Sequence, residues 1–121
     1  MPYIKSDNDR REKLRNGDTA LNAGELNYQI FWFVKHSTDL GILNRQLIIK
    51  YFVSQFIGKN PNYQKWNDMT GCLTCCWKEI KRRIQPVDLK ILRVISDVLA
   101  SYDKEINTYE DKKIIENGDV E

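Results

Sequence analysis

Apolar residues recur at three- and four-residue steps along most of this chain, and that spacing is the strongest constraint on its fold. Two long segments each carry a continuous apolar stripe of the kind that a helix buries against a core. Three shorter segments show the same period. The predicted helices span residues 6–16, 24–35, 44–57, 61–84 (with residue 62 as the alternative start) and 86–102. The pattern predicts an all-α fold, a compact bundle of about four to five helices with an ordered C-terminal tail.

Residues 24–35 are the hardest segment to assign. Residues 30–34, with the sequence IFWFV, are rich in the aromatic and β-branched side chains that favour strands. The apolar positions nevertheless follow helical spacing, and polar residues stand at the head of the segment. We therefore predict a helix that starts after Asn22.

Capping and breaking residues suggest where the middle helices begin and end. Asn44 is the expected N-cap of the third helix, and Gly58 is its expected stop. Pro61 suits the first position of the fourth helix. Gly71 lies inside that helix, where a glycine is unfavourable, so we expect another backbone or a ligand to pass close to it.

The 121 residues correspond to one domain, residues 1–121, with a helical body over 1–102 and an acidic tail over 103–121. Seven acids and three lysines give the tail a net charge of −4, which leaves +6 on the body. This asymmetry suggests an anionic partner for the body or a tail that docks back on it. With no apolar run of membrane-spanning length and a polar N-terminus, we expect a cytoplasmic protein with no membrane partner.

The chain offers little catalytic chemistry. Cys72, Cys75 and Cys76 lie near one helical face, and His36 is the only histidine available to complete a zinc site or to activate a thiol. A second Cys-x-x-Cys pair is missing, so we interpret the cysteines as core residues and predict no metal and no cofactor. Phosphate-binding glycine loops and metalloprotease motifs are absent. We expect a protein that is not an enzyme, with a cysteine nucleophile as the least favoured alternative.

Basic and aromatic residues suggest a binding site instead. Guanidinium groups match the geometry of phosphate, and aromatic rings stack on bases. We expect Arg10, Arg11 and Arg15 to form a phosphate-binding surface together with Arg82 and Arg83. The candidate ligand-binding residues are Tyr28, Trp66, Asn67, Trp77, Lys78, Arg82 and Arg83. The alternative is a solvated helix face whose charges pair with the acidic tail.

Helical periodicity is lost after residue 103, although the tail keeps several apolar residues. We predict that the tail is extended or forms a small hairpin, with Asn117 and Gly118 as a turn. We further predict that it docks against the fourth helix, with acids that reach Arg82 or Arg83, or against a neighbouring subunit. Because exposed ion pairs contribute only about 0–1 kcal/mol each, the apolar residues should matter more than the charges.

Four separated strings carry a resemblance to a known family. They are residues 1–4 (MPYI), 24–28 (GELNY), 63–83 (YxxxNDxxGxLxxxxxExxRR) and 109–120 (YEDKKIxENGDV). Together they resemble a family of small uncharacterised proteins found in phages, prophages and bacterial genomes. Two stretches depart from the family pattern, since residues 31–50 look longer and residues 84–108 look inserted. The resemblance implies a phage context rather than a mechanism.

Within that context we expect an accessory protein that counters bacterial anti-phage defence in the cytoplasm of the host cell. The first hypothesis is a non-enzymatic protein, forming a homo-oligomer, that sequesters an anionic ligand such as a cyclic nucleotide signal. The alternative is a protein–protein inhibitor that blocks a host defence protein or a CRISPR component through an acidic or aromatic surface.

Overall fold

A computed structural model describes residues 9–84 and 88–118 of the protein. Over these ranges the chain is helical and forms no strand, which confirms the all-α prediction. The described residues form six helices, which are α1 (Asp9–Arg15), α2 (Ala23–His36), α3 (Ile42–Ile57), α4 (Tyr63–Arg83), α5 (Leu89–Ser101) and α6 (Asp103–Asn117). The β-prone residues 30–34 lie within α2, so the helix prediction for this segment is also confirmed. The first residues of the predicted N-terminal helix, and Pro86, lie outside the described residues.

Side-chain caps explain where three of the helices begin. Asn22 accepts a hydrogen bond from the backbone N–H of Glu25 at the start of α2, as predicted. Asn62 caps α4 in the same way, and Asp88 caps α5 by accepting from two backbone N–H groups. Each of these side chains satisfies donors that have no partner within the helix itself.

Three predicted helix starts need correction. The fifth helix, predicted from residue 86, begins at Leu89 after its cap Asp88. Asn44 is not the N-cap of α3, because the helix begins two residues earlier and Gly41 occupies the cap without a side-chain hydrogen bond. Pro61 is not the first residue of α4, since Asn62 caps the helix and Tyr63 opens it. Gly58, in contrast, ends α3 as predicted, with a positive φ of 71° that favours glycine.

The core lies between α4 and α5, with α2 packed on α4 and α3 packed on α5. Most of the predicted apolar positions of α4 and α5 are buried in this core. Thr70 and Leu89 are exposed, and Trp77, Ile84 and Leu99 are half-buried. Gly71 lies on the outer side of α4, where an added Cβ would meet no described atom within 4 Å. The expectation that another described backbone passes close to Gly71 is therefore wrong, and the expectation of a ligand there stays a prediction.

The three cysteines are free thiols with different surroundings. Cys72 and Cys76 are buried in the core as predicted, whereas Cys75 is exposed. A hydrogen bond with Cys72, followed by burial, raises the pKa of the Cys76 thiol well above its usual value. A protonated, buried thiol is a poor nucleophile, so Cys76 acts as a packing residue.

The C-terminal tail is ordered, as predicted, but its predicted extended or hairpin conformation is wrong. Residues 103–117 form α6, and Gly118 ends the helix with a φ of 83°. Acidic residues in the first turn favour a helix N-terminus, because they complement its partial positive charge. The helix packs beside α5 through Ile106 and Tyr109, while Ile115 is 84% exposed.

The predicted pairing of tail acids with the α4 arginines is not formed by the described residues. Arg82 and Arg83 both bind Glu79, which lies one turn earlier on the same helix. The described tail contains one ion pair, between Lys113 and Glu116 within α6. None of the described helices is both long enough and apolar enough to cross a membrane.

A buried arginine connects α2, α3 and α5. Arg45 of α3 is 4% exposed and donates to the Asp88 carboxylate at 3.1 Å and to the Val34 carbonyl at 3.4 Å. Asp88 also caps α5, so one carboxylate serves two roles. We call Arg45, Asp88 and the Val34 carbonyl the Arg45 junction.

Candidate functional site

The short helix α1 is held in place by α2 through two polar contacts and one apolar anchor. Arg10 donates two hydrogen bonds to the Glu25 carboxylate, at 2.8 and 2.9 Å. Gln29 donates from its side-chain amide to the carbonyls of Leu14 and Asp18 at 2.8 and 2.9 Å. Leu14 itself is completely buried. These contacts fix a helix that is too short to be stable alone.

The fixed α1 helps to enclose a cavity of about 260 Å³. One wall is a face of α2, and the others come from α1 and from the C-terminal end of α4. The lining residues are Arg11, Gly24, Asn27, Tyr28, Phe31, Trp32, Lys35, His36, Glu79 and Arg83. We call this space the α2 cavity. Its walls carry aromatic rings together with three positive charges and one carboxylate.

Cations lie over the aromatic rings of the cavity wall. The guanidinium carbon of Arg11 lies 5.1 Å from the centre of the Tyr28 ring, and that of Arg83 lies 5.1 Å from the Phe31 ring. Such contacts hold a guanidinium group against the face of an aromatic ring. The two arginines therefore present cationic groups beside aromatic rings in the wall of the α2 cavity.

The Trp32 ring belongs to a second stack at the α2 cavity. It lies 4.5 Å from the His36 ring at an interplanar angle of 20°, and Arg15 covers it at 5.5 Å. Arg15 also donates a hydrogen bond of 2.8 Å to the Tyr28 hydroxyl. Arg15 thus contacts two of the aromatic rings that line the cavity.

Glu79 supplies the carboxylate of the cavity and is already bound. Arg82 donates to both of its oxygens, at 3.0 and 3.1 Å, and Arg83 approaches one oxygen at 3.5 Å. The hydrogen bond from Arg82 is the main reason that the pKa of Glu79 is lowered. Arg82 thus neutralises Glu79, while Arg83 makes only a long contact and keeps most of its donors available.

Comparison with protein families identifies one family that matches the chain. The model of a domain of unknown function, DUF6899, matches residues 1–120. The chain belongs to this family. The matched range includes residues 31–50 and 84–108, the two stretches that depart from the motif pattern of the resemblance. No curated protein and no solved structure gives a significant match.

The structure does not bring the seven predicted site residues of this DUF6899 protein together. Tyr28 and Arg83 line the α2 cavity, and Arg82 lies beside it as the partner of Glu79. Trp66 is 6% exposed and packs near Tyr102 in the core. It lies about 24 Å from Arg82 along α4, since a helix rises 1.5 Å per residue.

The remaining predicted residues lie elsewhere on α4. Asn67 is exposed at the same end of the helix as Trp66, and Lys78 is exposed near the other end. Trp77 is half-buried, with the Lys81 ammonium 5.1 Å from its ring. The combination of Arg82 and Arg83 with Trp66 and Trp77 therefore does not form one site.

The sequence did contain a signal for the α2 cavity. Gly24, Asn27, Phe31 and Lys35 recur at three- and four-residue steps, so they lie along one side of α2. This pattern is hard to recognise in the sequence because the apolar run through residues 30–34 overlaps it. Residues of that run contribute to both the core and the cavity. Of the five arginines expected on one phosphate-binding surface, Arg11 and Arg83 line this cavity, because α1 and the end of α4 pack on the same face of α2. The other three are not among its lining residues.

Proposed function

We propose that this protein is a non-enzymatic binding protein whose α2 cavity takes a small anionic ligand with a planar ring, of the nucleotide class. The observation that carries the proposal is the arrangement of Arg11 and Arg83 over aromatic rings in a single cavity. Guanidinium groups bind phosphate through paired hydrogen bonds, and aromatic side chains stack on bases. The cavity offers both kinds of contact within the dimensions of one ligand.

The volume of the cavity limits the size of the ligand that it can hold. Ligand pockets usually measure about 300–1,000 Å³, and the α2 cavity lies just below that range at about 260 Å³. It suits about one nucleotide unit rather than an enclosed macrocycle. A cyclic dinucleotide would place one unit in the cavity and leave the other outside, where a second copy of the protein can receive it. This is the role we assign to a homo-oligomer.

In the phage context that the resemblance implies, the biological role is to sequester a cyclic nucleotide that serves as a bacterial defence signal. Sequestration requires tight binding and no chemistry on the ligand. The proposal places this activity in the cytoplasm of the bacterial host. Binding of a cyclic nucleotide also explains why the site combines cationic and aromatic side chains.

A binding screen tests the proposal. Purified protein is titrated calorimetrically with cyclic mono-, di- and trinucleotides, and its melting temperature is recorded with each ligand at 100-fold excess over its Kd. Linkage then predicts stabilisation of about 2.7 kcal/mol by any true ligand. Loss of one charge-assisted hydrogen bond costs about 1.5–3 kcal/mol, so Arg83→Ala should weaken binding by about tenfold or more.

Arg93→Ala is the matched control for this screen. Arg93 is an arginine of α5 whose side chain is 84% exposed. Its substitution removes the same charge as Arg83→Ala, but at a position outside the cavity. Its binding should equal that of the wild type. The proposal is wrong if no nucleotide binds, or if Arg83→Ala and Arg93→Ala weaken binding equally.

A second candidate function rests on α6. Among the described helices it is the one without a buried residue, and it presents Ile115 at 84% exposure among acidic side chains. Such a surface suits a protein–protein inhibitor of a host defence protein or a CRISPR component. Deletion of residues 109–121 discriminates the two functions, because nucleotide binding should survive it and inhibition of a partner should not.

A further inference from the structure

A buried amide in the wall of the α2 cavity has no hydrogen-bond partner. Asn27 is 6% exposed, and its side-chain nitrogen Nδ2 makes no hydrogen bond to any described residue. Gln29, two positions further along α2, provides the contrast, because its side-chain nitrogen donates to two backbone carbonyls. One helix therefore holds one buried amide donor that is bound and one that is not.

An unpaired buried donor destabilises a fold, so its presence calls for an explanation. Other buried polar atoms without a partner occur in the described residues, on Gln29, Ser37, Arg45 and Trp66. None of those four residues lines the α2 cavity, whereas Asn27 does. A leucine at this position would have a similar volume and no donor to satisfy. The amide is explained if a ligand supplies the missing acceptor.

The exposure of the cavity residues indicates how a nucleotide would enter. Arg83 has a side chain that is 45% exposed, so it stands at the open end, while Asn27 stands at the buried end. Phosphate is strongly hydrated and fits the open end, and a base is flat and poorly hydrated and fits the buried end. Phe31 lies one turn after Asn27 on the same side of α2, where its ring can contact the base.

We infer, building on the proposed function, that Asn27 reads the edge of an adenine base. An asparagine amide presents a donor and an acceptor side by side, which pairs with N6 and N7 of adenine. Guanine instead presents two acceptors on the corresponding edge, and the amide matches only one of them. A carboxylate such as Glu79 can also recognise guanine, but both Glu79 oxygens already accept hydrogen bonds from Arg82.

The inference is tested with cyclic mononucleotides, which fit a cavity of this size. Calorimetric titrations at one salt concentration compare the 3′,5′-cyclic forms of AMP, GMP and CMP on the wild type, Asn27→Leu and Asn27→Asp. A bidentate amide–adenine pair discriminates between bases by about tenfold or more. We expect cyclic AMP to bind the wild type more tightly than the other two by that factor, and both variants to lose the preference.

Asn67→Leu is the control, since Asn67 is an exposed asparagine at the far end of α4. It should keep the preference for cyclic AMP. The melting temperature of Asn27→Leu gives a second readout, because a residue needed only for folding would lower it on substitution. We expect this temperature to stay equal or rise, since the unpaired donor is removed.

Three results overturn the inference. Equal affinity for the three cyclic nucleotides, with binding that still depends on Arg83, refutes adenine reading and leaves the proposed function standing. The role of Asn27 is refuted if both Asn27 variants keep the preference for cyclic AMP. It is also refuted if Asn27→Leu loses affinity and its melting temperature falls along with that loss. No binding of any nucleotide refutes the proposed function, and adenine reading with it.

Discussion

Two arginines of this protein occupy opposite kinds of site. Arg45 is 4% exposed and binds Asp88 and the Val34 carbonyl, so its charge is enclosed by three helices. Arg83 has a side chain that is 45% exposed, rests over the Phe31 ring and contacts Glu79 only at 3.5 Å. The first holds the helices together, and the second keeps its donors available at the mouth of a cavity.

The difference lies in the cost of dehydrating a charge. A buried guanidinium group loses its water and must recover that free energy from its partners, so each partner becomes essential to the fold. A guanidinium group at a surface keeps part of its water and can exchange one anion for another at little cost. We therefore expect substitutions at the Arg45 junction to change stability and substitutions at the α2 cavity to change binding.

The largest effect should come from Asp88→Ala. This substitution removes the cap of α5 and leaves Arg45 as an uncompensated buried charge, which should cost about 3–5 kcal/mol of unfolding free energy. Chemical denaturation of the two proteins measures the loss. Asp97→Ala is the control, because Asp97 is 54% exposed and pairs with Arg93 at 4.0 Å. A loss below about 1 kcal/mol would place Asp88 with the surface pairs and remove the contrast between the two sites.

A smaller effect should appear in the pH dependence of stability. Burial acts to raise the pKa of Asp88, but hydrogen bonds from the Ile91 backbone and from Arg45 outweigh it, so the pKa is lowered. The pKa of Glu25 is lowered mainly by its hydrogen bond from Arg10. Groups with a lowered pKa stabilise the fold above their unfolded-state values, 3.8 for Asp88 and 4.5 for Glu25. Stability should therefore fall as the pH drops below about 4.5.

Denaturation midpoints measured between pH 7 and pH 3 test this expectation. Glu25→Gln and Asp88→Asn should each show a shallower decline than the wild type, because each lacks one of the titrating groups. An unchanged slope in both variants would mean that other carboxylates govern the acid response.

The smallest effect on stability should come from Arg83→Ala. Its contact with Glu79 is long and partly exposed, and Arg82 remains to neutralise the carboxylate, so the unfolding free energy should change by no more than about 1 kcal/mol. The same denaturation experiment measures it. A loss as large as that of Asp88→Ala would show that Arg83 is a structural residue and would weaken the proposed binding role.

The helical bundle was predictable because local sequence and tertiary burial agree in it. In α5, Ile91, Val94, Ile95 and Val98 recur at helical spacing, and the structure buries all of them. Asn22 and Asp88 are capping residues whose hydrogen bonds are formed within their own helix turn, although Asp88 was not predicted as a cap. Features that depend on neighbours in sequence can be inferred from the sequence.

The helix α6 shows where that inference fails. It has no buried residue, so no apolar stripe marked it, and the dipeptide Asn117–Gly118 was interpreted as a hairpin turn. The structure uses Gly118 instead to end a helix, since a glycine with positive φ serves both purposes. Local sequence alone does not distinguish these two uses.

The sequence by itself determined the all-helical fold, the core faces of α4 and α5, and the presence of basic and aromatic residues. Only the tertiary structure decided which of those residues meet. Trp66 and Arg82 share a helix yet lie at its two ends, whereas Arg11 and Arg83 are far apart in the chain and line one cavity. The physical reason is that a binding site depends on how helices pack. The crossing of α1 and α4 over α2 is set by the summed burial of many side chains, and no short motif encodes it.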